Sequence, residues 1–282
     1  MAIQGAPYVG VTGFKDVDEI HNIIWRLADS HQGRLEARPL MVGVLVNNRT
    51  LGNDETEHRS ARFPSMENVR SVFQQASDQG NLMTLRLAHF NTHFPESLGN
   101  QLISLAEQCF PYIEGVQLNC CWPDPKQLEA VRPEFRRIVL QIGSKALADC
   151  KHDPKQIVER LRRYSGLITD VLIDPSGGTG QFADFQIMRP VLHAIKNWNY
   201  GIGLGVAGGL CADNVNCLQL RLLFQEFPNL SIDAEGRLRT ENDQKLELIE
   251  TESYITKAFS TVEKVRHEQY LMREAERLAL ES

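Results

Sequence analysis

No stretch of this chain approaches the roughly 20 consecutive apolar residues that a membrane-spanning helix needs, so no membrane association is expected. Cysteine is sparse. Cys109, Cys120, Cys121, Cys150, Cys211 and Cys217 include no Cys-x-x-Cys spacing, which argues against a disulfide framework and against structural zinc. A basic excess is missing too. Lys and Arg number 30 against 36 Asp and Glu, giving −6, whereas binding to phosphate backbones needs dense Lys/Arg; no nucleic-acid partner is expected. The first residues, MAIQGAPYVGVTGF, show no basic region followed by an apolar stretch, so a secretory signal is not read there and a cytoplasmic location is expected. Nor is there a linker or low-complexity segment. A chain of 282 residues can bury about three quarters of its unfolded surface without covalent staples.

What is present is a regular alternation. Short runs rich in Val, Ile and Leu predict strands at 8–14, 41–47, 82–90, 115–120, 137–143, 170–175, 201–208 and 230–236. They are near-continuously apolar rather than strictly alternating, as parallel strands covered on their outer face should be. Amphipathic stretches fit between them. Residues 17–29 put Ile20, Ile23, Ile24 and Leu27 on one face; residues 65–78 open with Ser65 as N-cap and turn Val69, Val72, Phe73 and Ala76 inward. Asp153-Pro154 reads as an N-cap with proline in the first turn. Eight β-then-α units predict a single (β/α)8 barrel over residues 1–260, with an open doubly wound sheet as the competitor. Residues 261–282 read as an extra charged helical tail that leaves open an oligomer contact. The polar stretch 48–64 follows the second strand, where a lid and a solvated insertion are both plausible readings.

Two glycine clusters sit at the ends of neighbouring strands. The first is IDPSGGTGQFADF, 173–185, in which Asp174 ends the sixth strand and Gly177, Gly178, Thr179 and Gly180 follow. The second is Ala207-Gly208-Gly209-Leu210, with Asp213 as a candidate cap for the next helix. Glycines let backbone N–H groups approach an anion closely, and loops after the last strands of such barrels commonly hold phosphate. Either loop alone reads equally well as a tight turn. Together they predict a phosphate site built from the amides of Gly178, Gly208 and Gly209.

These pieces resemble the phosphoribosylanthranilate isomerase family, within the wider group of ribulose-phosphate-binding barrels. They occur in family order: Gly10 to Phe14, Ser60 to Phe63, Val116 to Asn119, Leu172-Ile173-Asp174 with GGTGQFADF, AGGL with Asn214-Val215, and Ser231-Ile232-Asp233. The resemblance implies a TIM barrel that binds a phosphorylated sugar, with no cofactor and no metal. It assigns the general-acid role of an Amadori rearrangement to Asp174 and a carboxylate contact to Arg62. It makes Gln117, Asn119, Gly177, Gly178, Gly208, Gly209 and Asp233 further ligand-binding positions.

The sequence departs from the family at the functional end. The family's lysine and its cysteine base are absent from Gly10-Val11-Thr12-Gly13, so Thr12 stands where the thiol belongs. A threonine hydroxyl is a poor proton acceptor unless activated. Asn119 replaces a histidine, and Ala234-Glu235-Gly236 replaces a phosphate loop, where Glu235 would repel phosphate unless it turns away or pairs with Arg237 or Arg239. His89, Cys120 and Glu235 are alternative bases, and the spacing of His89 and His93 makes a weak metal pair. Partial burial should raise Asp174's pKa, while a nearby Arg62 would hold it ionised. Acid–base enzyme on a phosphorylated sugar, with a reaction other than the family's own, is the leading reading. A non-catalytic barrel that binds or senses a phosphorylated ligand is the alternative.

Overall fold

The computed structural model describes residues 5–30, 38–52, 62–78, 83–176, 180–198, 201–240 and 245–281. Eight strands, β1 (Val9–Thr12), β2 (Leu40–Val46), β3 (Thr84–Phe90), β4 (Gly115–Leu118), β5 (Arg137–Gly143), β6 (Asp170–Asp174), β7 (Gly203–Ala207) and β8 (Leu230–Ala234), pair in parallel in chain order. β8 returns to pair with β1, closing the barrel. Every expected strand is present. Several stop earlier than the apolar pattern suggests, β8 at Ala234 rather than 236, because apolar and glycine residues continue past the last ladder bond into the mouth loops.

The helices are α1 (Val17–Ser30), α2 (Met66–Ser77), α3 (Leu98–Cys109), α4 (Pro125–Glu129), α5 (Ser144–Asp149), α6 (Pro154–Arg162), α7 (Phe185–Trp198), α8 (Leu218–Glu226) and α9 (Leu248–Glu281). Ser65 caps α2, accepting from the Asn68 amide, and Val69, Val72, Phe73 and Ala76 are its buried face. Asp153 caps α6 in the same way, with Pro154 opening the helix. α9 runs unbroken through residue 260. Its first half packs against α1 and α8 through Tyr254, Ile255, Phe259 and Val262, so it supplies the eighth helical cover. Past Val265 it is largely exposed, leaving Tyr270, Leu271, Met272, Leu278 and Leu280 in solvent.

Side chains alternate across each strand, which explains the continuous apolar runs: both faces are buried. Outward residues such as Val42, Val116, Ile138 and Val206 join the helix-facing core. Inward residues form a second, smaller cluster of Tyr8, Met41, Leu85, Leu87, Val139, Leu172 and Ala207. That apolar plug separates two polar ends. At the N-terminal end Arg137 and Asp170 pair inside the barrel. At the C-terminal end the lining turns polar, and the candidate site begins there.

Candidate functional site

Six of the eight strands each deliver one inward polar side chain at this end. Thr12 ends β1, His89 and Gln117 lie next to the ends of β3 and β4, Gln141 lies on β5, Asp174 ends β6, and Asp233 lies near the end of β8. Glycine makes this crowding possible. A Cβ on Gly43 would come 2.5 Å from Thr12 Oγ1, and one on Gly10 would come 2.7 Å from Asp233 Oδ1. Thr12 Oγ1 donates to the Asp233 carboxylate, lying 3.1 and 3.0 Å from its two oxygens. Gln117 Nε2 lies 3.5 Å from Asp233 Oδ2 and 3.2 Å from Gln141 Oε1. Gln141 Nε2 in turn donates to Asp174 Oδ2 at 3.0 Å. Asp174 Oδ1 accepts from the Ser176 amide at 3.0 Å and its hydroxyl at 2.6 Å. Two carboxylates are thus joined through two amides in one chain of hydrogen bonds.

Asp233 has the unusual environment. Burial pushes its carboxyl up to about 7; Glu235 and Asp174 push it the same way, while the Thr12 and Gln117 hydrogen bonds pull down. Near neutral pH it therefore exchanges a proton, as a general acid or base should. Thr12 is wholly buried with its hydroxyl directed at that carboxylate, so it acts as the positioning partner of Asp233.

Between these groups lies a cavity of about 30 Å3, room for one or two waters, lined by His89, Gln117, Gln141, Asp174, Gly208 and Asp233 and roofed in part by Gly180, Glu235 and Gly236. Glu235 does not stand as a bare charge at the mouth: Arg62 Nη1 lies 3.2 Å from its Oε1. The sequence proposed Arg237 or Arg239 for that pairing and set Arg62 beside Asp174. Arg239 Nη1 donates to the Gly13 carbonyl at 3.1 Å, and Arg237 is exposed with its stem against Gly180.

Of the expected ligand positions, Gln117, Gly208, Gly209, Asp174 and Asp233 meet at the cavity. Asn119 is exposed and donates to Asn91 Oδ1 at 2.7 Å, beside the mouth rather than in it. Gly177, Gly178 and Thr179 lie outside the described residues, as does most of the 48–64 stretch. Asp213 does not cap α8. A turn intervenes, the helix starts at Leu218 after Cys217, and the neighbouring Asn214 organises the turn by accepting from the Cys211 amide and donating to the Gly209 carbonyl. Burial pushes the Cys120 thiol up to about 12, which removes it as a base at neutral pH. Cys121 is exposed, also raised, and donates to Asp149 Oδ2. Among the described residues no group of three or more His, Cys, Asp or Glu could hold a metal ion. Gln141 and Ser176 were not singled out by sequence; a glutamine inside the apolar strand RIVLQIG was the available signal.

Gly209 holds a left-handed φ of +60°, and a Cβ there would come 2.5 Å from the Gln181 backbone. Its missing side chain lets the loop after β6 pack onto the end of β7, which Ala183 N–H secures by donating to the Gly208 carbonyl at 3.2 Å. Gly209→Ala is expected to cost about 1–3 kcal/mol and to lower the urea midpoint, because strain and collision add. An unchanged midpoint would mean the loop yields freely.

No protein-family model and no curated protein sequence matches the chain. Solved structures do. A sialic acid synthetase from Leptospira borgpetersenii serovar Hardjo-bovis, in complex with citrate, aligns over 94% of this chain and 86% of its own at 11% identity and TM-score 0.59. A rubisco-like protein from Burkholderia fungorum aligns over 94% of this chain at 12% identity and TM-score 0.56, and the chain spans only 62% of its length. A GH113 β-1,4-mannanase aligns over 91% of this chain and 99% of its own at 10% identity and TM-score 0.53. At such identities the likeness is one of fold, and the fold is the (β/α)8 TIM barrel.

Proposed function

We propose that this barrel is an enzyme that performs acid–base, isomerase-type chemistry on a phosphorylated sugar at its C-terminal mouth, related to phosphoribosylanthranilate isomerase but not catalysing that family's reaction. The observation that carries the proposal is the buried Asp233, raised to about 7, linked through Gln117 and Gln141 to Asp174 around one cavity. Two carboxyl groups in different surroundings can divide the labour, one exchanging a proton and the other meeting a ligand oxygen. Thr12 in place of the family's thiol supports a changed reaction, since its hydroxyl serves Asp233. Three features support an anionic group on the ligand. Gly208 lines the cavity, Arg62 offsets Glu235, and the exposed Arg237 beside Gly180 pairs with no described carboxylate. In this reading Gly177 and Gly178 complete the anion site. A sugar phosphate is larger than the cavity, so its binding widens the mouth between Gly180 and Gly236. The exposed apolar side chains at the end of α9 favour contact with a second copy, which sedimentation of the full chain would test; a monomer at high concentration would refute it.

The test is proton exchange. Incubating the protein in D2O with ribose 5-phosphate and other aldose and ketose phosphates should place deuterium on the carbon next to the carbonyl, seen by NMR. Binding by calorimetry without any deuterium would favour the non-catalytic reading, for which the small cavity also speaks. Neither binding nor exchange would refute both, and rapid turnover of phosphoribosylanthranilate would refute the changed reaction.

A further inference from the structure

Two neighbouring side chains in the barrel mouth carry hydrogen-bonding atoms that nothing among the described residues satisfies. Both ring nitrogens of His89 and Oε1 of Gln117 are buried without a partner. The residues sit opposite each other in the β3–β4 register and line the same 30 Å3 cavity. His89 is 6% exposed and Gln117 1%. A buried polar atom left unpaired costs stability, so such atoms beside a cavity point to something that occupies it.

No neighbouring side chain among the described residues, Gln141 included, makes a hydrogen bond to these three atoms. Gln117 Nε2 faces Gln141 Oε1 and Asp233, and Gln141 Nε2 is spent on Asp174. Burial keeps the His89 imidazole neutral, its pKa pushed down to about 4 although the adjacent Gln141 works the other way. A neutral imidazole offers one donor and one acceptor, and Gln117 Oε1 adds a second acceptor. The unmet set is therefore one donor and two acceptors side by side. A carboxylate or the dianion of a phosphate ester accepts only and cannot answer it. Two adjacent hydroxyl groups can, since each both donates and accepts.

We infer that His89 and Gln117 form a hydroxyl-recognition subsite for a vicinal diol of a sugar-class ligand, His89 touching the ligand directly. The inference rests on the functional reading for where the ligand lies, and not for its phosphate. It also explains why a polar pair is kept where the apolar plug could have continued.

The experiment uses the full-length protein with 15N-labelled histidine and three probes: D-ribose, ribose 5-phosphate and inorganic phosphate. The His89 ring signals should move with ribose 5-phosphate, and with ribose at higher concentration, but not with phosphate alone. His89→Phe should weaken ribose 5-phosphate binding at least about tenfold, while His89→Gln, which keeps a donor and an acceptor, should restore most of it. The ligand-free His89→Phe protein should melt no lower than the wild type, because it loses two stranded polar atoms; a purely structural histidine would give the opposite. Ring signals indifferent to both sugars, or His89→Phe binding as tightly as wild type, would overturn the subsite. The first outcome is read on the wild type, so a variant that fails to fold does not protect the proposal. If ribose binds as well as ribose 5-phosphate, the phosphate in the functional reading fails and the subsite stands. If ribose 5-phosphate binds and His89→Phe changes nothing, the reverse holds.

Discussion

Truncating Arg137 to alanine is expected to cost about 3–5 kcal/mol, a large share of what holds an ordinary domain together. Arg137 and Asp170 open β5 and β6 at the closed end of the barrel, with side chains only 5% and 3% exposed. Arg137 Nε and Nη2 donate to the two Asp170 oxygens at 2.8 and 2.5 Å, and Nη1 donates to the Ala6 carbonyl at 2.7 Å. The guanidinium also lies 4.9 Å from the Tyr8 ring centroid, and Thr169 Oγ1 donates to Asp170. Each of the three guanidinium nitrogens thus donates to an acceptor. Removing the cation leaves Asp170 buried, charged and short of its main partner, and that residual charge is the source of the cost. Replacing both residues, Arg137→Met with Asp170→Leu, should be far milder, since no charge is stranded. Denaturant unfolding of the two variants decides the matter. A single variant that loses less than about 1 kcal/mol, or a double variant as unstable as the single, would show that the cost is not a stranded charge.

That pair shows where the sequence was readable and where it stopped being so. The strands were legible because burial on both faces leaves long apolar runs, and the caps because Ser65 and Asp153 act on amides two or three residues away. Arg137 and Asp170 looked like polar strand boundaries. Their pairing depends on β5 and β6 lying side by side, 33 residues apart in sequence. The same limit applies at the mouth. Asp174 and Asp233 are equally visible as acidic residues ending apolar strands, and the family resemblance drew attention to Asp174. The distinctive burial of Asp233 is made by Thr12 from the far end of the chain and by closure of β8 on β1. His89 was visible as a histidine at a strand end, one of several alternative bases. What singles it out is unfilled bonding capacity, a property of the assembled barrel. Gly209 was legible as a glycine at a strand end and read as an anion contact; the Gln181 backbone packed against it is a property of the folded chain.

Asp233→Asn should move stability and activity in opposite directions. Its carboxyl rises from 3.8 to about 7, with burial first and the Glu235 and Asp174 charges behind it, against the Thr12 and Gln117 hydrogen bonds. The folded protein therefore keeps a proton that the unfolded chain releases above pH 4. Stability from this group is greatest below about 4, declines as the pH rises to about 7, and stays at the lower level beyond. Asparagine cannot ionise, yet its oxygen still accepts from Thr12, so the penalty disappears while the geometry is largely kept. At pH 8 the variant should be more stable than wild type by a few kcal/mol, on the order of 3–4, and at pH 4 nearly equal to it. Parallel wild-type and variant curves from pH 4 to 8 would rule out the raised carboxyl. The same change removes the group poised to exchange a proton, so deuterium incorporation into the substrate should fall by about 100-fold or more. Asp174→Asn should also remove most exchange while leaving binding broadly intact. A protein in which Asp233→Asn exchanges deuterium at the wild-type rate does its chemistry elsewhere. One in which Asp174→Asn abolishes binding, with no exchange found for the wild type, uses that carboxylate to recognise a ligand rather than to transform it.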